Sequence, residues 1–184
     1  VIDAGHGSRM SGATKNGIQE KDINLDIVLQ LKALFDAYDG NIGVYYTRTD
    51  DSNPTLQQRA ELANKAGADL FISVHNNSSG TGNFTSVNGT QVLYSESDDR
   101  ELGSKKLAQI CLDNVTAATG SNDFGLLKAD DIYIVRSSEA PVALIEVGFM
   151  TNRDELAKLA DPEYQKTAAQ GIFNAVLEAI KEGY

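Results

Sequence analysis

The chain contains two histidines, His6 and His75, and each closes a short apolar run. Val1-Ile2-Asp3-Ala4 leads through Gly5 to His6, and Leu70-Phe71-Ile72-Ser73-Val74 leads to His75. A third run, Val142-Ala143-Leu144-Ile145, ends in Glu146. Imidazoles and carboxylates are the groups a catalytic zinc takes, usually three from the protein with a fourth position left for water. The histidines would supply two. The candidates for the third are Asp3, Glu20, Asp22 and Glu146. Glu20 opens a helical segment at the end of the loop that holds His6, so it can fold back to the same point. Asp3 lies inside a strand and reads as structural. Glu146 fits either a ligand or a general base, and spacing does not decide between them. A carboxylate directly after four apolar residues is costly to bury unless something pairs with it, and a metal or its water meets that need.

Each residue also has a plainer reading. A lone histidine at a strand end is more often structural than a ligand. A glutamate opening a helix is favourable there simply because of the helix dipole. Gly5-His6-Gly7-Ser8 could be only a tight turn, and it lacks the spacing of a phosphate-binding loop. No GxSxG elbow supports a serine hydrolase. Cys111, the single cysteine, lies among apolar residues at helical spacing and reads as buried. Taken together, two histidines and an inward glutamate at one sheet edge favour chemistry over structure.

The elements that must position these groups alternate between strand and helix. Val1–Ala4 is a short buried strand, and residues 5–19 form a loop rich in Gly, Ser and Asn. Ile23, Ile27, Val28, Leu31, Leu34, Phe35 and Tyr38 recur at threes and fours, which predicts a helix from Glu20 to Tyr38. Residues 43–48 read as a strand. A helix runs from about Pro54 to Ala66, with Asn53 as its cap and Gly67 as its stop. Leu70–Val74 and Thr90–Ser95 are strands, separated by a polar loop over residues 76–88. Residues 98–119 read as helix, 120–125 as loop, and 132–135 and 142–147 as strands. Helices close the chain over 153–159 and 162–181. The expected fold is α/β, with a mixed, largely parallel sheet of about six strands and helices on both faces. In such sheets, sites gather beyond the carboxyl ends of the strands.

The 184 residues are expected to form a single domain, cut from a longer exported protein because the chain begins inside a strand. The net charge of −10 argues against nucleic acid, whose phosphates need a basic face. No apolar run is long enough to span a membrane.

Several spaced motifs, in order, resemble the zinc-dependent N-acetylmuramoyl-L-alanine amidases, the peptidoglycan amidases with a glutamate in a closing EVGF segment. They are VIDAGHGS (Val1 to Ser8), GIQEKDINL (Gly17 to Leu25), TRTDDSNPTLQQRAELAN (Thr47 to Asn64), SVHNN (Ser73 to Asn77) and PVALIEVGFMTN (Pro141 to Asn152). The resemblance implies that His6, Glu20 and His75 bind one zinc ion and that Glu146 is the catalytic carboxylate. It implies peptidoglycan as the substrate, and hydrolysis of the amide between N-acetylmuramic acid and L-alanine. Arg48, Asp51, Arg59 and Asn64 match family positions and read as an ion-pair and capping network. Asn77 matches a position just past the third motif and is a candidate substrate contact. Two departures stand out: Asn76 replaces a usual small residue, and the first strand lacks its usual lead-in residues. The short loop after His75 carries no helical stripe, so an open site is expected. The chain is expected to act as a monomer at the cell wall or in the periplasm, with a separate wall-targeting module elsewhere in the protein. The rivals are a zinc peptidase or deacetylase acting on another wall amide, a wall-binding module that has lost catalysis, and a metal-free structural domain.

Overall fold

In the computed structural model, which describes residues 1–80 and 82–184, the strands are β1 (Ile2–Ala4), β2 (Thr14–Lys15), β3 (Ile18–Gln19), β4 (Phe71–Asn77), β5 (Thr90–Tyr94), β6 (Asp123–Lys128) and β7 (Val142–Phe149). The helices are α1 (Glu20–Asp36), α2 (Leu56–Ala66), α3 (Ser104–Thr119), α4 (Tyr133–Arg136), α5 (Arg153–Leu159) and α6 (Pro162–Glu182). The main sheet has five strands in the order β1-β4-β7-β5-β6, and β2 pairs with β3 as a separate small hairpin. β1, β4 and β7 run parallel, whereas β5 is antiparallel to β7 and parallel to β6. The carboxyl ends of β1, β4 and β7 therefore meet at the edge where β5 begins.

Alternation along the strands divides the core. Ile72, Val74, Ala143, Ile145 and Val147 pack against α1, α3 and α6, on which Ile27, Leu31, Leu107, Cys111 and Ile172 are buried. Phe71, Leu93, Val142 and Leu144 face Ala63 of α2 and Ile134 and Val135 of α4. Burying a side chain of this size contributes about 1.5–3 kcal/mol, so the threefold-and-fourfold spacing of α1 is enough to hold it on the sheet. Cys111 is fully buried, and that burial pushes its thiol up to about 12.

Several elements differ from the sequence expectation. The main sheet's five strands fit the expected count of about six, but residues 43–48 make a single parallel bridge, from Tyr46 to Ile2, and not a ladder. β1 is only three residues long and Tyr45 is exposed, so little is gained by extending the pairing. The run at 132–135 is a helical turn, with the N–H of Val135 and that of Arg136 both donating to Ile132 O. Its adjacent Ile134 and Val135 are both buried, which a turn lying on the sheet permits and strand alternation does not. β6 falls partly on residues that read as loop. It is an edge strand, exposed at both ends and half-buried only at Gly125 and Leu126, with a register shift beside it and Gly125 at φ +92°, so no alternating pattern marks it. α2 is capped by Thr55 rather than Asn53: Thr55 and Gln58 form a reciprocal capping box, and Asn53 instead accepts from Arg59. α3 starts at Ser104, where Asp98 accepts from both the backbone N–H and the hydroxyl of Ser104.

Candidate active site

His6, Glu20 and His75 come together although 14 and 55 positions separate them in turn along the chain. The loop after β1 delivers His6, the start of α1 delivers Glu20, and the end of β4 delivers His75. One potential ligand atom from each lies within 4.8 Å of the others. Glu20 Oε1 is 3.2 Å from His6 Nε2 and 2.9 Å from His75 Nδ1, and the two imidazoles meet edge to face at 4.9 Å.

The chain around these groups is built to hold them. His6 has a φ of +62°, a left-handed conformation that costs a non-glycine residue on the order of 1–3 kcal/mol. Two buried arginines impose it. Arg59 donates to the carbonyls of Ala4 and His6, and Arg48 to those of Ala4 and Gly5. Asp51 accepts from the Ser8 N–H and from Lys21, which closes the loop. Asn64 ties α2 to the backbone of Ser137 and Glu139. The expected network around these four residues is present, but Arg48 and Asn64 act through backbone hydrogen bonds rather than ion pairs or caps. Two glycines clear the space. A Cβ on Gly5 would stand 2.2 Å from the His75 ring, and one on Gly12 would stand 2.3 Å from Glu20 Oε2.

Glu20 is buried, and its carboxylate is fully engaged. Oε2 accepts from the Ala13 N–H at 2.8 Å, and Oε1 from the Asn76 N–H at 3.2 Å and Asn24 Nδ2 at 3.3 Å. Burial alone would raise its pKa, but hydrogen bonds from His6 and His75 hold it far below the usual carboxylate range. Burial disfavours charge on His75 too, yet the Glu20 carboxylate outweighs this and raises its pKa. Asn24 and Asn76 escaped the sequence reading as site residues. Asn24 sits four positions after Glu20 on a helix, so it shares the face of its carboxylate, and that spacing is a readable signal. Asn76 replaces the expected small residue and donates its side chain to Asn24 at 2.8 Å.

The other carboxylates sort themselves by their surroundings. Asp3 is fully buried and satisfied by Arg59, Ser73 and Thr47, and Asp22 is exposed. Glu146 is the direct register partner of His75 across the β4–β7 ladder, so both side chains stand on the α2 side of the sheet. Its Oε2 is buried and, among the described residues, has no hydrogen-bond partner. Burial pushes the Glu146 carboxyl up to about 7, with the Glu20 charge adding to the rise and His75 opposing it. Asn77 lies one pleat beyond His75 and donates to Gln91 Oε1 at 3.2 Å. A hollow of about 320 Å³ opens beside His6 and His75, walled by Met10, Pro54, Leu56 and Ile134. No helix covers the site among the described residues of 78–89.

Two imidazoles and a carboxylate converging on one point, with glycines keeping that point clear, can hold a metal ion. A buried carboxylate without a partner stands next to it. The arrangement has the parts of a metal-assisted hydrolase: a donor set, a candidate base and an adjoining hollow.

Comparison with known proteins points to amide hydrolysis. A family model described as N-acetylmuramoyl-L-alanine amidase matches residues 1–178. YqiI of Bacillus subtilis strain 168 is 37% identical over 175 residues, which cover 95% of this chain and 81% of that protein. The N-acetylmuramoyl-L-alanine amidase LytC of the same strain is 35% identical over 176 residues, covering 96% of this chain but 34% of LytC, so the chain spans about a third of that relative. The crystal structure of N-acetylmuramoyl-L-alanine amidase from Clostridium difficile 630 superposes with a TM-score of 0.91 at 32% identity, covering 100% of this chain and 96% of that one. On the match across 1–178 and the shared fold, the chain belongs to the Amidase_3 family of N-acetylmuramoyl-L-alanine amidases.

Proposed function

We propose that this chain is a zinc-dependent amidase that cleaves the bond between the lactyl group of N-acetylmuramic acid and the L-alanine of the stem peptide in peptidoglycan. The observation that carries this reading is the convergence of His6, Glu20 and His75 within 4.8 Å, with the partnerless Glu146 in register beside His75. His6, Glu20 and His75 hold the ion, a donor set of the kind hydrolytic zinc sites use. Zinc, when bound there, supplies Lewis acidity to an amide carbonyl and brings the pKa of a water towards neutrality. The Ala13 N–H, the Asn76 N–H and Asn24 keep the Glu20 carboxylate turned towards the two imidazoles. Glu146 takes a proton from the attacking water and passes it to the alanine nitrogen as the carbon–nitrogen bond breaks, leaving a lactyl carboxylate and a free amine. A carboxyl whose pKa burial has brought near neutrality suits both transfers. The substrate lies outside the membrane, so the protein works at the wall. Among the described residues, no helix is long and apolar enough to cross a membrane.

Digesting purified peptidoglycan with and without a chelator, followed by mass analysis, tests the reading. Stem peptides that begin with an L-alanine amine, together with peptide-free glycans, should be released only when metal is present. Cleavage within the stem would replace this reading with a zinc peptidase. Intact wall despite bound zinc would replace it with a binding module.

A further inference from the structure

The row of side chains that contains His75 and Glu146 continues across the sheet. Glu146 pairs with His75 of β4 on one side and with Gln91 of β5 on the other. Gln91 pairs in turn with Gly125 of β6. Residues directly opposite each other across a ladder share a face, so His75, Glu146, Gln91 and the bare Cα of Gly125 form one line on the α2 side of the sheet. Among the described residues, no heavy atom beyond Gly125 and its two chain neighbours lies within 4 Å of the place a Cβ on Gly125 would occupy. The line is therefore crowded at the candidate metal and open beyond Gln91.

Gln91 is held by one partner. Asn77 Nδ2 donates to Gln91 Oε1 at 3.2 Å, and Asn77 is itself fixed because its Oδ1 accepts from the Ser78 N–H at 2.7 Å. This is the only side-chain hydrogen bond of Gln91 among the described residues. A side-chain amide has an acceptor oxygen and two N–H donors. Asn77 occupies the oxygen, so the planar amide turns its donors away from Asn77, and among the described residues nothing receives them. A pinned amide with a free donor is set to meet an acceptor on something that enters the site.

The spacing indicates which acceptor. Neighbouring strands stand about 4.8 Å apart, and an extended peptide advances about 3.5 Å per residue. A substrate whose scissile carbonyl lies over the His75–Glu146 pair, and whose chain leaves along the open line, brings its next carbonyl within reach of Gln91. We infer that Gln91, oriented by Asn77, donates through Nε2 to the backbone carbonyl of the first stem residue, and so makes the site a reader of the peptide side of the bond. The inference rests on the proposed amidase reading. Asn77, a candidate substrate contact from sequence, becomes a positioning residue that acts through Gln91.

The test uses a soluble N-acetylmuramoyl dipeptide and its analogue in which the alanine carbonyl is reduced to methylene. Gln91→Met removes the donor without adding charge. Gln91→Glu keeps the acceptor for Asn77 but also removes the donor. Both should raise KM for the dipeptide about tenfold, the size of one lost hydrogen bond; for Gln91→Met kcat should change much less, whereas Gln91→Glu sets a second carboxylate beside Glu146 and is read on KM alone. On the reduced analogue, Gln91→Met should cost nothing beyond what the parent has already lost. Asn77→Ala should raise KM by a smaller factor, and should add nothing to Gln91→Met in the double variant. Metal content and thermal midpoint, measured on each variant, exclude misfolding. KM values within twofold of the parent for both Gln91 variants would overturn the inference, as would an equal rise on the dipeptide and its analogue. A parent that releases no alanine amine from the dipeptide would sink the amidase reading itself, and this inference with it.

Discussion

Two carboxylates stand on the same face of the same sheet, and their fates are opposite. Asp3 of β1 is fully buried, and each of its oxygens is satisfied, by Arg59 and Thr47 on one side and Ser73 on the other. Burial alone would raise its pKa, but the Arg59 guanidinium and the two hydroxyls hold it below the usual carboxylate range. Glu146 of β7 has a buried oxygen with no partner among the described residues, and burial pushes it up to about 7. The lesson is one of satisfaction rather than depth. Asp3, buried and paired, is a fixed anion that locks Arg59, and through it the strained His6 loop. Glu146, buried and unpaired, keeps its proton affinity available near neutral pH.

The sharpest way to break this contrast is to replace each carboxylate with its amide. Glu146→Gln should lower kcat by about 10³-fold, as expected for loss of a general base, while metal content stays at the parent level. Near-normal turnover would remove Glu146 from the reaction. Asp3→Asn should do the reverse: it leaves Arg59 buried without its counter-charge and costs about 3 kcal/mol of stability, read as a lower midpoint in urea. The two sites also differ in the sign of their pH dependence. The lowered pKa of Asp3 contributes stability above the ordinary carboxylate value of about 4, and that contribution fades as pH falls below it. Asp3→Asn should therefore flatten the acid limb of the stability profile.

For Glu146 the sign is inverted. Its folded pKa of about 7 lies well above the ordinary glutamate value. The folded state thus binds the proton more tightly, and stability falls as pH rises from 4.5 to about 7. In metal-free protein, Glu146→Gln should remove this loss, raising stability at pH 8 by up to about 3 kcal/mol and leaving it nearly unchanged at pH 4. Urea unfolding at the two pH values reads the difference. Equal effects at both would show that the Glu146 carboxyl is not strained by burial.

Much of this contrast can be read without coordinates, and part of it cannot. His6, His75 and Glu146 are legible because each ends an apolar run, and an α/β chain brings such ends to one edge. Asp3 inside its strand is legible as structural for a related reason: a charge in mid-strand must have its partner built in. Glu20 remains one of four candidates on spacing alone. Its selection depends on the β2–β3 hairpin, whose return places Ala13 against its carboxylate. Gln91 is illegible, because its importance lies in register: it matters only once β5 is known to run antiparallel to β7 with Gln91 opposite Glu146. β6 and α4 are misread where local pattern and tertiary context part. An exposed edge strand lacks alternation, and a β-branched run can be a single helical turn when both of its apolar residues have a sheet to rest on.

The smallest expected effect sharpens the comparison from the scaffold side. Thr55 caps α2 by accepting from the Gln58 N–H, while Gln58 Oε1 accepts from the Thr55 N–H. α2 carries Arg59, the partner of Asp3, one turn into the helix. Thr55→Ala removes half of the box and should cost about 1 kcal/mol, measured by urea unfolding. That loss falls on the element that holds Asp3 and the His6 loop, and not on β7, where Glu146 stands. Turnover per folded molecule and its pH dependence should then follow the parent while the unfolding midpoint drops. A shift in the pH profile of kcat would mean instead that the capped end of α2 reaches Glu146, and that the satisfied and unsatisfied carboxylates are coupled rather than independent.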